Sequence, residues 1–163
     1  VTCLPRLIAC LLCLSAPVSS LAQGSQVAFG NTQQDSNLPV EVTAETLDVN
    51  QNDNTAVFTG NVVIGQGEMR LSAPRVLVVY KADQSGIQRL EARGGVTIVS
   101  GQDAAEGREA DYDIDSGMIE LRGNVLLVQG PQALTSDKMA VDTHAGTARM
   151  TGRVKTVLQP EEQ

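Results

Sequence analysis

Aromatic side chains are almost missing from this chain: Phe29, Phe58, Tyr80 and Tyr112 are the full set, and there is no tryptophan. Proteins that grip nucleic acid combine stacking aromatics with a basic footprint, so nucleic acid is not an expected partner. Histidine occurs once, as His144 in the run DTHAG. A single solvated turn histidine supports neither a catalytic triad nor a histidine-based metal site. A sustained helical period is also lacking, and that points away from a bundle.

Cysteine is scarce and confined: Cys3, Cys10 and Cys13 all fall within the first 22 residues. That stretch has the form of a secretory signal, with Arg6 as a basic start, the short apolar run LIACLLCL, and Ser20 and Ala22 as small residues before a cleavable bond. A rival reading takes LIAC as a lipobox ending at Cys10, which would leave almost no apolar region ahead of the cysteine. With residues 1–22 removed, the mature chain has no thiol and must fold by packing alone. Removing Arg6 leaves 11 basic against 19 acidic residues, a formal net charge of −8. An acidic surface offers no long-range attraction for anionic lipid, so a lipid partner would have to be held by its acyl chains.

The 163 residues allow one core. Residues 23–38 are polar and read as a flexible lead-in, residues 39–159 as a single domain, and residues 160–163 as a frayed tail. Within the domain, FTGNVVI contains a glycine where a strand should resist one. The arrangement recurs in EARGGVTIV, ELRGNVLLV and RMTGRVKTV, with Gly60, Gly94, Gly123 and Gly152 separated by 34, 29 and 29 residues. Spacings of this size mark a repeated supersecondary unit. Each of the four units opens with a short strand, turns at a polar cluster and returns through the glycine-bearing strand, which predicts an all-β body of antiparallel strands.

Alternation then divides the faces, because side chains two apart share a side of a strand. Phe58, Val62 and Ile64 fall on one face, as do Leu90, Val96 and Ile98, then Ile119, Leu121, Val125 and Leu127, then Met150, Val154 and Leu158. Arg89, Glu91, Arg93, Glu120 and Arg122 fall on the other, where cross-strand ion pairing accounts for them. Parity places the recurring glycines on the apolar face, where a missing side chain would let a long strand bend inward. The opening strands slip parity, from Ala44 to Leu47 and from Leu134 to Met139, as a bulge or corner would require, and Pro74 suits such a corner. Together these predict a twisted, folded-over sheet.

Catalytic and metal motifs fail on inspection. DYDIDSG brings Asp111, Asp113 and Asp115 into the spacing of a calcium loop, but Ser116 stands where that loop needs glycine and Arg122 where it needs a bidentate glutamate. Alternation turns those aspartates outward and Ala110, Tyr112 and Ile114 inward. GQGEM and the run Arg93 to Gly95 lack the following helix of a phosphate cradle. No enzyme, cofactor or metal is expected.

The run PVEVTAETLDVNQNDNTAVFTGNVVIGQGEMRLSAPRVLV and the closing GRVKTVLQP resemble the OstA-like family of periplasmic lipopolysaccharide-transport proteins. The resemblance spans roughly residues 39 to 160. It implies a β-jelly roll, or folded β-taco, with open ends and a hydrophobic groove for lipid A acyl chains. It also implies head-to-tail self-association that carries lipopolysaccharide across the periplasm from an LptC-like protein at the inner membrane to an LptD-like protein at the outer membrane. By motif position Val40 and Val42 would face the groove, joined by Phe58, Val62, Ile64, Leu90, Val96, Ile98, Tyr112, Ile119, Leu121, Val125, Leu127 and Met150. Val40 and Val42 at one edge, and Val154 and Leu158 at the other, would dock partners by strand pairing. Alternation alone favours reading the same apolar face as the filled core of a structural β-repeat module that binds partners by its edges and carries no lipid, and the family resemblance reverses that preference.

Overall fold

The computed structural model describes residues 26–30 and 38–158. The expected signal segment 1–22 and tail 160–163, and most of the expected lead-in, lie outside the described residues. Among those described there is no helix, and so none long and apolar enough to cross a membrane.

Eleven antiparallel strands form one sheet: β1 (Gln26–Ala28), β2 (Glu41–Thr43), β3 (Thr46–Asn50), β4 (Thr55–Gln66), β5 (Met69–Tyr80), β6 (Ile87–Ser100), β7 (Asp103–Asp113), β8 (Met118–Gln129), β9 (Gln132–Asp142), β10 (Thr147–Thr151) and β11 (Lys155–Leu158). From β4 to β10 each strand pairs with its successor in sequence. The first of these, β4, also holds β2 and β3 end to end, while β9 holds β10 and β11 in the same manner. The predicted four-unit all-β architecture is therefore present, as an open β-jelly roll.

The sheet folds over along a single line through its middle. On β4, Thr59 pairs with Arg75 and Val62 with Ala73, so Gly60 and Asn61 together oppose Pro74 alone. Gly94 and Gly95 likewise oppose Arg108, and Gly123 and Asn124 oppose Asp137. Such two-against-one bulges sharpen the local bend. In each return strand both residues are left-handed, with φ of +85° and +43° at Gly60 and Asn61 and of +84° and +51° at Gly123 and Asn124. That corrects the inward placement of the glycines. A Cβ on Gly60 would lie 2.9 Å from the Cβ of exposed Glu45, between β2 and β3, and one on Gly123 would lie 2.9 Å from the Cδ of exposed Arg108 on β7. Glycine is needed there for its backbone conformation and for the close approach of the neighbouring strand, not to leave space in the interior.

The line divides the sheet into two facing leaves. One leaf runs from β3 through the strand halves that bear Phe58, Leu90 and Leu121 to β10 and β1; the other runs from β2 through the halves that bear Ile64, Ile98 and Leu127 to β11. Their inner faces meet in one apolar cluster. Opening strands change parity at the line, so Ala73 and Val76 both point inward although three apart, as do Ser136 and Met139. On the outer face Arg93, at 3.0 Å, and Arg122 both reach Asp111 across strands, while Arg89 pairs with Glu91 along β6 at 2.7 Å and Arg122 with Glu120 along β8.

One expectation for the lead-in is overturned. Residues 26–30 were expected to stay unpacked, yet β1 pairs with β10 and Phe29 is 4% exposed. Val27 and Phe29 alternate with polar or small neighbours, and the otherwise bare edge of β10 supplies the backbone partners that this short apolar pattern cannot find locally.

Candidate functional site

The apolar interior is where the predicted site residues converge. On one leaf Leu90, Tyr112, Ile119, Leu121 and Met150 are buried, and on the other so are Val62, Ile64, Val96, Ile98, Val125 and Leu127. Phe58, Val40 and Val42 are half-buried against this cluster at the β2–β3 end. Side chains from the opening strands complete the lining, among them Val76, Val78, Leu134, Met139 and Val141. Only the parity slip could have signalled these in the sequence, since simple alternation fails across the bend. The interior is closed in this conformation: Ile98, Leu121, Val125 and Leu127 are each 0% exposed.

The two ends of the roll differ. At the β3 end the inner-face residues Leu47 and Val49, on the leaf that begins with β3, are 54% and 62% exposed. Beside them a cleft of about 700 Å³ is lined by Val49, Thr55, Tyr80 and Gln84, among others. At the other end β1 covers β10, and Phe29 lies over the interior between the leaves. Its amide donates to the Gly146 carbonyl at 3.1 Å, the Gly30 amide to Asp103 at 2.8 Å, and the Gln129 amide group to the Ala28 carbonyl at 2.6 Å. Of the predicted docking residues at this end, Val154 is exposed just before β11, and the Leu158 backbone pairs with Gln132.

A polar latch joins the free margins of the leaves. The Tyr112 phenol donates to Gln66 Oε1 at 2.7 Å, and Gln66 Nε2 donates to the Leu38 carbonyl at 3.1 Å. Both side chains are 2% exposed. Burial pushes the Tyr112 phenol above its ordinary pKa, and a hydrogen bond with Thr143 partly opposes that shift. Because the folded chain favours the neutral phenol, stability should hold below about pH 10 and fall as pH rises past it. Tyr112→Phe should cost about 1–2 kcal/mol near neutral pH and lessen this alkaline loss, as read from melting curves between neutral and alkaline pH.

Among the described residues no catalytic arrangement accompanies the interior. His144 is exposed in the β9–β10 turn. Asp113 accepts from the Ser116 backbone and hydroxyl, which holds its pKa below the usual range, while Asp115 pairs with Lys81 at 2.6 Å. No cluster of His, Cys, Asp and Glu able to hold a metal occurs among the described residues.

Comparison with known proteins gives the architecture a family. Residues 41–147 match the family described as LptA/(LptD N-terminal domain) LPS transport protein. A Rhizobium meliloti protein is 29% identical over 96 residues, covering 55% of this chain and 52% of its own, and the lipopolysaccharide export system protein LptA of Escherichia coli is 29% identical over 76 residues, covering 47% and 40%. The chain thus aligns with about half the length of the curated relatives it matches. The crystal structure of LptH, the LptA-homologous periplasmic component of the lipopolysaccharide transport device of Pseudomonas aeruginosa, superposes with a TM-score of 0.69 at 19% identity, over 78% of this chain and 99% of that one. That likeness bears on the fold, and the family match, which covers well over half the sequence, decides membership: the chain belongs to the LptA/LptD N-terminal domain family of lipopolysaccharide transport proteins.

Proposed function

We propose that this chain is a non-enzymatic carrier of lipopolysaccharide in the periplasm, exported by a cleaved signal and holding acyl chains between its two leaves. The observation that carries this reading is the continuous apolar interior, which runs from exposed Leu47 and Val49 at one end to Phe29 at the other and is bounded by leaves joined covalently along the glycine bends. Cargo enters by parting the leaves at their latched margins. Each methylene taken from water contributes about 0.8 kcal/mol, enough for a long acyl chain to replace the leaf-to-leaf contacts it displaces. Side chains of Val, Ile, Leu and Met make no demand for one ligand shape, which suits a relay that must also let go.

In this reading copies associate head to tail by strand pairing, with Val40 and Val42 at one docking edge and Val154 and Leu158 at the other. An LptC-like protein delivers cargo from the inner membrane, and an LptD-like protein receives it at the outer membrane. Photo-reactive side chains placed at Phe58, Ile98 or Leu127 in cells should give lipopolysaccharide adducts, while one at outward-facing Val128 should not. The complete closure of the interior favours a second reading, a structural β-repeat module with a solid core. Absence of adducts at all three inward positions would select it.

A further inference from the structure

The β1 strand has the form of a stand-in for a strand from outside the fold. In the meander β4 and β10 run in the same direction, six hairpin connections apart, and β3 lies antiparallel on the first just as β1 lies antiparallel on the second. A second copy displaced along the sheet would therefore bring its β3 to β10 with the polarity that β1 already has. The side-chain pattern matches too. Val27 and Phe29 of β1 face the interior, as do Leu47 and Val49 of β3, which are more than half exposed. The cis contact is short, with three residue pairs where β3 makes five on β4.

We propose that the outer edge of β10 is a docking site for β3 of a second copy of this chain, and that β1 occupies it in cis, so that assembly requires β1 to leave. The inference rests on the head-to-tail reading above and adds a competitor to it. Exchange is nearly balanced chemically, since one apolar two-residue alternation on an antiparallel strand replaces another and the backbone bonds are remade. When the competent state is a minor one, apparent affinity is reduced by its population. Dissociation of β1 also removes Val27 from beside buried Ala148, a place that an apolar residue of the incoming β3 would take again.

Association is to be measured by light scattering against concentration in the mature chain from residue 23, which has no thiol of its own, and in three variants of it. Phe29→Ser loosens the anchor and should lower the association midpoint about tenfold or more. Ala28→Cys with Thr147→Cys joins register partners, and its oxidised form should stay monomeric until reduced. Adding Leu47→Asp to Phe29→Ser should abolish the gain, which separates docking from general stickiness. Equal midpoints for the locked and unlocked chains, or a gain that survives Leu47→Asp, would overturn the cis competition alone. No association in any form at any concentration would overturn both it and the head-to-tail reading.

Discussion

Aspartate at Leu127 should prevent the chain from folding, while aspartate at the adjacent Val128 should leave its melting transition nearly where it was. Leu127 is 0% exposed between the leaves, and its strand neighbours Ala105 and Leu134 are buried as well. A carboxylate there meets no cation among these partners and costs several kcal/mol, a large share of the roughly 5–15 kcal/mol available to a domain. Val128 is 38% exposed on the outer face. The same charge remains hydrated there and should shift stability by about 0.5 kcal/mol or less. Circular dichroism melts of the two variants make the test, and similar losses in both would contradict the assigned faces.

Gly60→Val should destabilise the fold by about 2–3 kcal/mol, because a β-branched residue is held at a left-handed φ and its Cβ is pressed against Glu45. Gly86 is the contrast: it has no positive φ, and a Cβ there would meet nothing within 4 Å. Gly86→Ala should be neutral or stabilise by about 0.5 kcal/mol through the unfolded chain. Urea titrations of both variants give the difference directly. Equal effects would mean that the repeated glycine is not there for its dihedral.

Much of the roll was legible in the sequence because period-two alternation survives along each return strand: Val96 and Ile98 share a face with Leu90 and Ala92 across the bend. The opening strands were harder to read, since one residue is lost from the count at the bend and Ala73 and Val76 break the period. The glycines of the return strands differ for another reason. Parity carries through two consecutive left-handed residues but does not give their own orientation, so it points Gly60 inward when its open side faces Glu45. Strand β1 left only Val27 and Phe29 as a trace, and its partner β10 lies some 120 residues away. Alternation tells which side of a sheet is dry, but not whether the dry side encloses space, and the tight closure around Leu121 and Val125 emerged only from the packing.

Since the strands from β4 to β10 follow one another in both space and sequence, the number of hairpins sets the length of the molecule. An extra glycine-bearing pair inserted between existing ones would lengthen the roll by about 10 Å, two inter-strand spacings, while the chemistry of both termini of the sheet stayed the same. Reach and attachment can thus vary independently in this architecture, the first through repeat count and the second through the two outermost ribbons.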